Sequence, residues 1–131
     1  MAQILLFNIG AGKLRSIRVL ALRLGIGCRV VAPEDFSKTL GDISGREGFA
    51  VPAGEPADAA PFTGEMLVMD GLSSAQFHGL LDGLRRERAA VALKAVVTEQ
   101  NLQWSAARLY RELSAEHEAM KQAKARSVHS T

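Results

Sequence analysis

The sequence predicts an α/β fold: a duplicated βαβα unit carrying a four-stranded, mainly parallel sheet flanked by helices. Three observations lead there. Residues 4–43 and 66–109 both read as strand, helix, strand, helix. Ile4-Leu5-Leu6-Phe7 answers Met66-Leu67-Val68-Met69, and Leu14, Ile17 and Ala21 answer Phe77, Leu80 and Leu84 at helical spacing. Val30-Val31, followed by Phe36, Leu40 and Ile43, answers Val96-Val97, followed by Leu102, Ala106 and Leu109. Strands alternating with helices favour parallel neighbours joined by right-handed crossovers. The expected repeats, about 3–44 and 65–124, are joined by a Gly/Pro-rich connector at 45–64. They favour strand order 2-1-3-4, with strands 1 and 3 as central neighbours and a crevice beyond their carboxyl ends.

Ile4–Phe7 is a short continuous apolar run, as in a strand buried on both faces. Asn8-Ile9-Gly10-Ala11-Gly12 turns the chain, and a helix follows to about Leu24 with Gly25 as its C-cap. Apolar residues nearly encircle that helix, which implies deep burial or a second contact surface. Cys28–Ala32 reads as the second strand. Pro33 opens a helix, Glu34 and Asp35 favour its positive end, and Phe36, Leu40 and Ile43 form its buried side.

Ser44–Gly64 shows no period and holds Gly45, Gly48, Gly54 and Gly64 with Pro52, Pro56 and Pro61. It reads as the connector between the repeats. Met66–Met69 is the third strand. Ser73-Ser74-Ala75-Gln76 has the form of a capping box, and the helix it opens buries Phe77, Leu80, Leu81 and Leu84. Leu93–Val97 is the fourth strand. Asn101 is expected to cap the longest helix, whose stripe runs Leu102, Ala106, Leu109, Leu113 and Met120. The polar tail beyond about Met120 is expected to fray.

A chain of 131 residues is one ordinary domain, with a core that needs no staples. Hydrophobic residues make up 47% and charged residues 23%, the proportions of a soluble globular protein. The single cysteine, Cys28, excludes an internal disulfide framework and suits a reducing cytoplasm. No charged leader region precedes the first strand, and no apolar run reaches the length of a membrane span. The expected setting is therefore cytoplasmic, with no membrane partner. Residues 1–43 carry six Lys/Arg and three Asp/Glu, residues 44–72 one against five, and residues 73–131 nine against six. The acidic connector thus lies between two basic parts.

Gly10-Ala11-Gly12-Lys13 fails both phosphate-binding patterns. A P-loop needs glycine where Phe7 stands and Ser or Thr where Leu14 stands, and the dinucleotide motif needs glycine at Arg15. A glycine-containing turn beside Lys13 still leaves room for a small anionic ligand. Asp70 ends a strand beside a capped helix, where a carboxylate could act on a ligand or satisfy its own turn. His78, His117 and His129 fit no metal spacing, so no metal ligands are assigned, and no cofactor is identified. Cys28 reads as a buried, inert thiol. Aromatic residues are only 5%, and no nucleic-acid motif accompanies the basic helices, which argues against nucleic acid.

Lys94-Ala-Val-Val-Thr98-Glu99-Gln100-Asn101-Leu102-Gln103-Trp104 is the most distinctive stretch. With Leu109-Tyr-Arg-Glu-Leu113 and Glu116-His117-Glu118 after it, it resembles the C-terminal half of a small bacterial family, domain of unknown function 3783. The shared pattern is similar to a K-A-V-[LV]-T-x-x-N-x-x-W run leading into a helix that ends near E-H-E. The resemblance covers about residues 66–120, and the first repeat, including Pro33-Glu34-Asp35-Phe36, is compatible with it. Glu99 and Gln100 stand where the family pattern has Pro and Thr. The resemblance implies the α/β fold and no particular activity.

The candidate ligand-binding residues are Asn8, Gly10, Gly12, Lys13, Asp70, Ser73, Thr98, Asn101 and Trp104. No catalytic set emerges. The expected function is a small cytoplasmic binding or regulatory module without catalysis, acting as a homodimer or on a protein partner. The alternative is a small enzyme or a nucleotide- or metal-dependent switch. It needs Asn8, Lys13, Asp70 and Thr98 to converge at the carboxyl edge of the sheet.

Overall fold

A computed structural model describes residues 2–49 and 62–129. The central part of the expected connector, with Pro52, Gly54, Pro56 and Pro61, lies outside the described residues. The strands are β1 (Gln3–Phe7), β2 (Gly27–Val30), β3 (Met66–Asp70) and β4 (Leu93–Val96). The α-helices are α1 (Ala11–Leu24), α2 (Leu40–Ile43), α3 (Ser74–Arg86) and α4 (Ala106–His129). Short 3-10 turns occupy Pro33–Asp35 and Asn101–Gln103.

The sheet order is β2-β1-β3-β4, as expected. β1 runs parallel to β2, and β3 parallel to β4. The central pair departs from the expectation: β1 and β3 are antiparallel, with Gln3 opposite Asp70 and Phe7 opposite Met66. The sheet is therefore mixed. Each half remains a strand–helix–strand unit with its two strands parallel.

The antiparallel centre is accompanied by a direct contact between α1 and α3. Ile4 and Leu6 of β1, with Leu67 and Met69 of β3, bury against Ile17, Leu20, Ala21, Leu80 and Leu84 of those helices. Glycine lets the two helices approach closely. A Cβ on Gly83 would lie 2.4 Å from Leu20 Cδ1, and one on Gly79 would lie 2.9 Å from Leu24 Cδ2. The opposite face of the same strands, Leu5, Phe7, Met66 and Val68, packs on Phe36, Leu40, Phe62, Ala106 and Leu109. Phe36, Phe62 and Tyr110 stack there at 4.4 and 4.3 Å between ring centroids. Strict alternation of side chains along each strand feeds both cores from one apolar run.

The helix ends follow their sequence signals. Gly25 takes the left-handed C-cap of α1 at φ 72°, and its N–H reaches Leu22 O and Ala21 O. Ser73 and Gln76 form the expected capping box of α3.

Three boundaries differ. The helix expected from Pro33 is split, because Phe36 O and Lys38 O accept from Ala107 N and Ala106 N across the chain. Phe36, Leu40 and Ile43 are nevertheless all buried. Asn101 opens a 3-10 turn instead of capping the long helix. That cap falls to Ser105, whose hydroxyl accepts from Arg108 N at 3.0 Å. Finally, α4 continues to His129, past the point where fraying was expected. Its contact face ends early, and Met120 is 71% exposed.

Candidate functional site

The antiparallel centre divides the expected crevice. Asn8 follows the end of β1, whereas Asp70 ends β3 and sits opposite Gln3 at the start of β1. Five strand residues at about 3.3 Å each put the two ends roughly 16 Å apart. Asn8, Gly10, Gly12 and Lys13 thus occupy one end of the sheet. Asp70, Ser73, Thr98 and Asn101 follow the ends of β3 and β4 at the other. Asn8, Lys13, Asp70 and Thr98 do not converge, and the arrangement required by an enzyme built on them is absent.

At the first end, Asn8 adopts φ 59° and donates through Nδ2 to Phe62 O and Gly64 O at 3.0 and 3.1 Å. Asn8, and not a glycine, takes the left-handed position of this turn, while Gly10 has an ordinary φ of −65°. Lys13 Nζ contacts Glu65 Oε1 at 2.6 Å and donates to Ala90 O at 2.9 Å. This cation is therefore committed to tying α1 to the start of β3 and the end of the α3–β4 loop.

At the second end, Asp70 is the only buried carboxylate among the described residues. Arg46 grips it at two points, Nη2 to Oδ1 at 2.9 Å and Nη1 to Oδ2 at 3.0 Å. Gln3 Nε2 donates to Asp70 Oδ2 at 2.9 Å and to Ser44 O at 3.1 Å. Asp70 therefore binds side chains from β1 and from the segment after α2, instead of the amides of its own turn. Burial alone would raise its pKa. The hydrogen bonds from Arg46 and Gln3 outweigh that and hold the carboxyl below its ordinary value. A groove of about 530 Å³ runs past this pair, between Gln3, Ser44, Arg46 and the glycines Gly25, Gly27, Gly45 and Gly71.

Thr98 and Asn101 satisfy each other. Asn101 Oδ1 accepts from Thr98 N at 2.8 Å, Thr98 Oγ1 accepts from Asn101 N at 3.1 Å, and Asn101 Nδ2 donates to Val96 O at 3.0 Å. This is a self-contained turn that ends β4. Trp104 is half-buried, with the Arg108 guanidinium 4.3 Å from its ring centroid. Ser73 is engaged in its capping box.

The outer edge of β2 differs from these closed arrangements. All four residues, Gly27–Val30, are exposed, whereas β3 is buried throughout. Gly27 N and Val31 N donate to Ala2 O and Leu6 O. By the alternation of a parallel ladder, the N–H and C=O groups of Cys28 and Val30 face away from β1. Cys28 and Val30 pair with Ile4 and Leu6, so their side chains lie on the α1 side of the sheet. Val30 is 49% exposed there, and on α1 Val19 is 47% and Leu22 81% exposed.

Cys28 is thus an exposed thiol, and not the buried one expected. Partial desolvation raises its pKa against the opposing charge of Arg18. Of the apolar residues that nearly encircle α1, Ile17, Leu20 and Ala21 are buried, whereas Val19 and Leu22 are exposed, so deep burial does not account for the whole set.

Arg46, Gln3 and Leu22 were outside the sequence-derived set. Arg46 carried a weak signal as the one basic residue of the acidic 44–72 stretch. Among the described residues, no group of His, Cys, Asp and Glu is placed to hold a metal ion. None of the described helices is long and apolar enough to cross a membrane.

The model of the family described as Domain of unknown function (DUF3783) matches residues 65–120. The match runs from the start of β3 into α4, over the stretch on which the resemblance rested. No curated protein matches the chain, and neither does any solved structure.

Proposed function

We propose that the protein is a binding module without catalysis of its own, which docks a protein partner along the outer edge of β2. One observation carries this reading. The edge strand β2 is exposed at all four residues, turns the N–H and C=O groups of Cys28 and Val30 away from β1, and leaves the Val30 side chain 49% exposed. Such an edge templates another strand, and natural proteins usually blunt or cover it. The candidate polar residues at both ends of the sheet are by contrast engaged with the protein's own groups. A free, exposed thiol on the docking edge suits a reducing compartment such as the cytoplasm.

Cys28 supplies the test. Its labelling rate with a membrane-permeant maleimide is compared in cells making the protein and in dilute purified protein. A covered edge predicts labelling about tenfold slower in cells, once normalised to a Cys28→Ser/Ala115→Cys control whose thiol lies on exposed α4. Equal normalised rates at position 28 would remove the reading.

A further inference from the structure

We infer that the occupant of the β2 edge is an extended, acidic segment of a partner protein, added to the sheet as a fifth strand. This rests on the edge-docking reading above and adds the partner's chemistry.

The argument begins with charge. Residues 1–33 hold five Lys/Arg and no Asp or Glu. Arg18 is exposed on α1 and Arg29 on β2 itself, whereas Arg15 and Arg23 line a hollow with Glu87 on the α3 side of α1. Arg18 is exposed on α1, the helix that covers the face of the sheet on which the Cys28 side chain lies, and its charge opposes the rise of the Cys28 pKa. Arg29, paired with Leu5, points to the opposite face of the sheet and donates to Ile43 O. Positive charge therefore flanks the edge on both faces. The nearest acidic residues in sequence, Glu34 and Asp35, lie beyond the strand, and Asp35 is paired with Lys38 at 3.0 Å.

A second copy fits this edge poorly. Pairing two β2 strands would bring Arg18 and Arg29 of each copy toward the same residues of the other, like charge against like charge. An acidic segment reverses the sign of that interaction. A nucleic acid would satisfy the charge but not the row of outward N–H and C=O groups, which only another backbone completes. The exposed apolar residues Leu22 on α1 and Val30 on the strand are aliphatic and offer bases no stacking surface. A matching segment alternates apolar residues toward Leu22 and Val30 with carboxylates toward Arg29.

The test uses a fluorescein-labelled octapeptide alternating Glu and Val, titrated against the full chain by fluorescence anisotropy. The expected result is saturable binding that weakens as salt rises. A Lys–Val octapeptide and a Glu–Val peptide N-methylated at alternate amides should each bind at least about tenfold more weakly. Two variants report on the edge. Val30→Pro removes an outward N–H while sparing the ladder to β1, and Leu22→Glu alters an exposed side chain without touching the core. Each should also weaken binding about tenfold, with the far-UV circular dichroism unchanged.

Equal binding of the Glu–Val and Lys–Val peptides that both variants weaken would overturn the acidic partner and leave edge docking intact. Peptide binding unaffected by either variant would overturn both readings. Self-association abolished by Val30→Pro would make a second copy the occupant and overturn the inference alone. Binding of oligothymidylate at the same site, displacing the peptide, would overturn it in favour of a phosphate backbone.

Discussion

Gln3 and Asp70 face each other across the antiparallel centre of the sheet, and the Gln3 amide donates to Asp70 Oδ2 at 2.9 Å. The same amide also reaches Ser44 O, and Arg46 grips the carboxylate from the other side. The cluster therefore ties the segment after α2 to the end of the sheet. Arg46→Ala would leave a carboxylate whose side chain is only 7% exposed with Gln3 as its remaining side-chain donor among these contacts. The expected loss is about 1–2 kcal/mol, below that of a fully buried pair because Arg46 itself is partly solvated. Arg46→Lys should recover only part of it, since an ammonium cannot make the two-point contact. Urea denaturation measures both, and an unchanged midpoint in Arg46→Ala would show that the pair contributes nothing net.

The same cluster sets a pH dependence. Asp70 has an ordinary pKa of 3.8 and is held below it in the folded protein. A depressed carboxyl binds fewer protons folded than unfolded, so its stabilisation is fully present above the unfolded pKa. It is lost as pH falls from about 4 through the lower folded value. Asp70→Asn should therefore be less stable than the parent at pH 7 and lose less on acidification. Thermal melts at intervals from pH 7 to pH 3 test this. Parallel curves for the two proteins would assign the acid sensitivity to other carboxylates.

Much of the fold was readable because burial leaves a plain mark. Ile4–Phe7 and Met66–Met69 are the two central strands, and Gly25 and Ser73-x-x-Gln76 cap their helices as read. The direction of β3 was not readable, since a strand buried on both faces has the same apolar run either way. A signal for the arrangement did exist in Gly79 and Gly83, four residues apart on one side of α3. That spacing marks a helix face approached closely by another element. Apolar periodicity alone accounts for the helix and carries no information about that spacing. The candidate site depends most on this direction, because reversing β3 carries Asp70 from Asn8 to Gln3. The Asp70 partner was unreadable for another reason: Arg46 lies 24 residues away in a stretch without periodicity.

The α1–α3 contact gives its own prediction. Gly83→Ala would place a methyl 2.4 Å from Leu20 Cδ1, far inside contact distance, in a buried position. The helices must separate or Leu20 must leave its rotamer, at a cost of about 1–3 kcal/mol. Helix propensity works in the opposite direction, favouring alanine over glycine by about 1 kcal/mol. A net destabilisation in urea therefore isolates the packing penalty. The double variant Gly83→Ala/Leu20→Ala should show positive coupling, with the second change relieving the clash made by the first.

Gln76 serves two helices at once. Its Oε1 accepts from Ser73 N at 2.9 Å, completing the capping box of α3, while its Nε2 donates to Leu24 O at 3.1 Å at the end of α1. Ser73→Ala removes only the hydroxyl that accepts from Gln76 N, and should cost about 1 kcal/mol. Gln76→Ala removes the reciprocal half of the box and also a donor to the last turn of α1. It should cost more than Ser73→Ala, by about 0.5–1.5 kcal/mol for the extra hydrogen bond. Gln76→Glu separates the two roles: a carboxylate still accepts from Ser73 N but cannot donate to Leu24 O. If the link between the helices matters, Gln76→Glu resembles Gln76→Ala in urea. Hydrogen exchange should then show α1 losing protection near Gly25. If the capping box alone matters, Gln76→Glu resembles the parent and α1 keeps its protection.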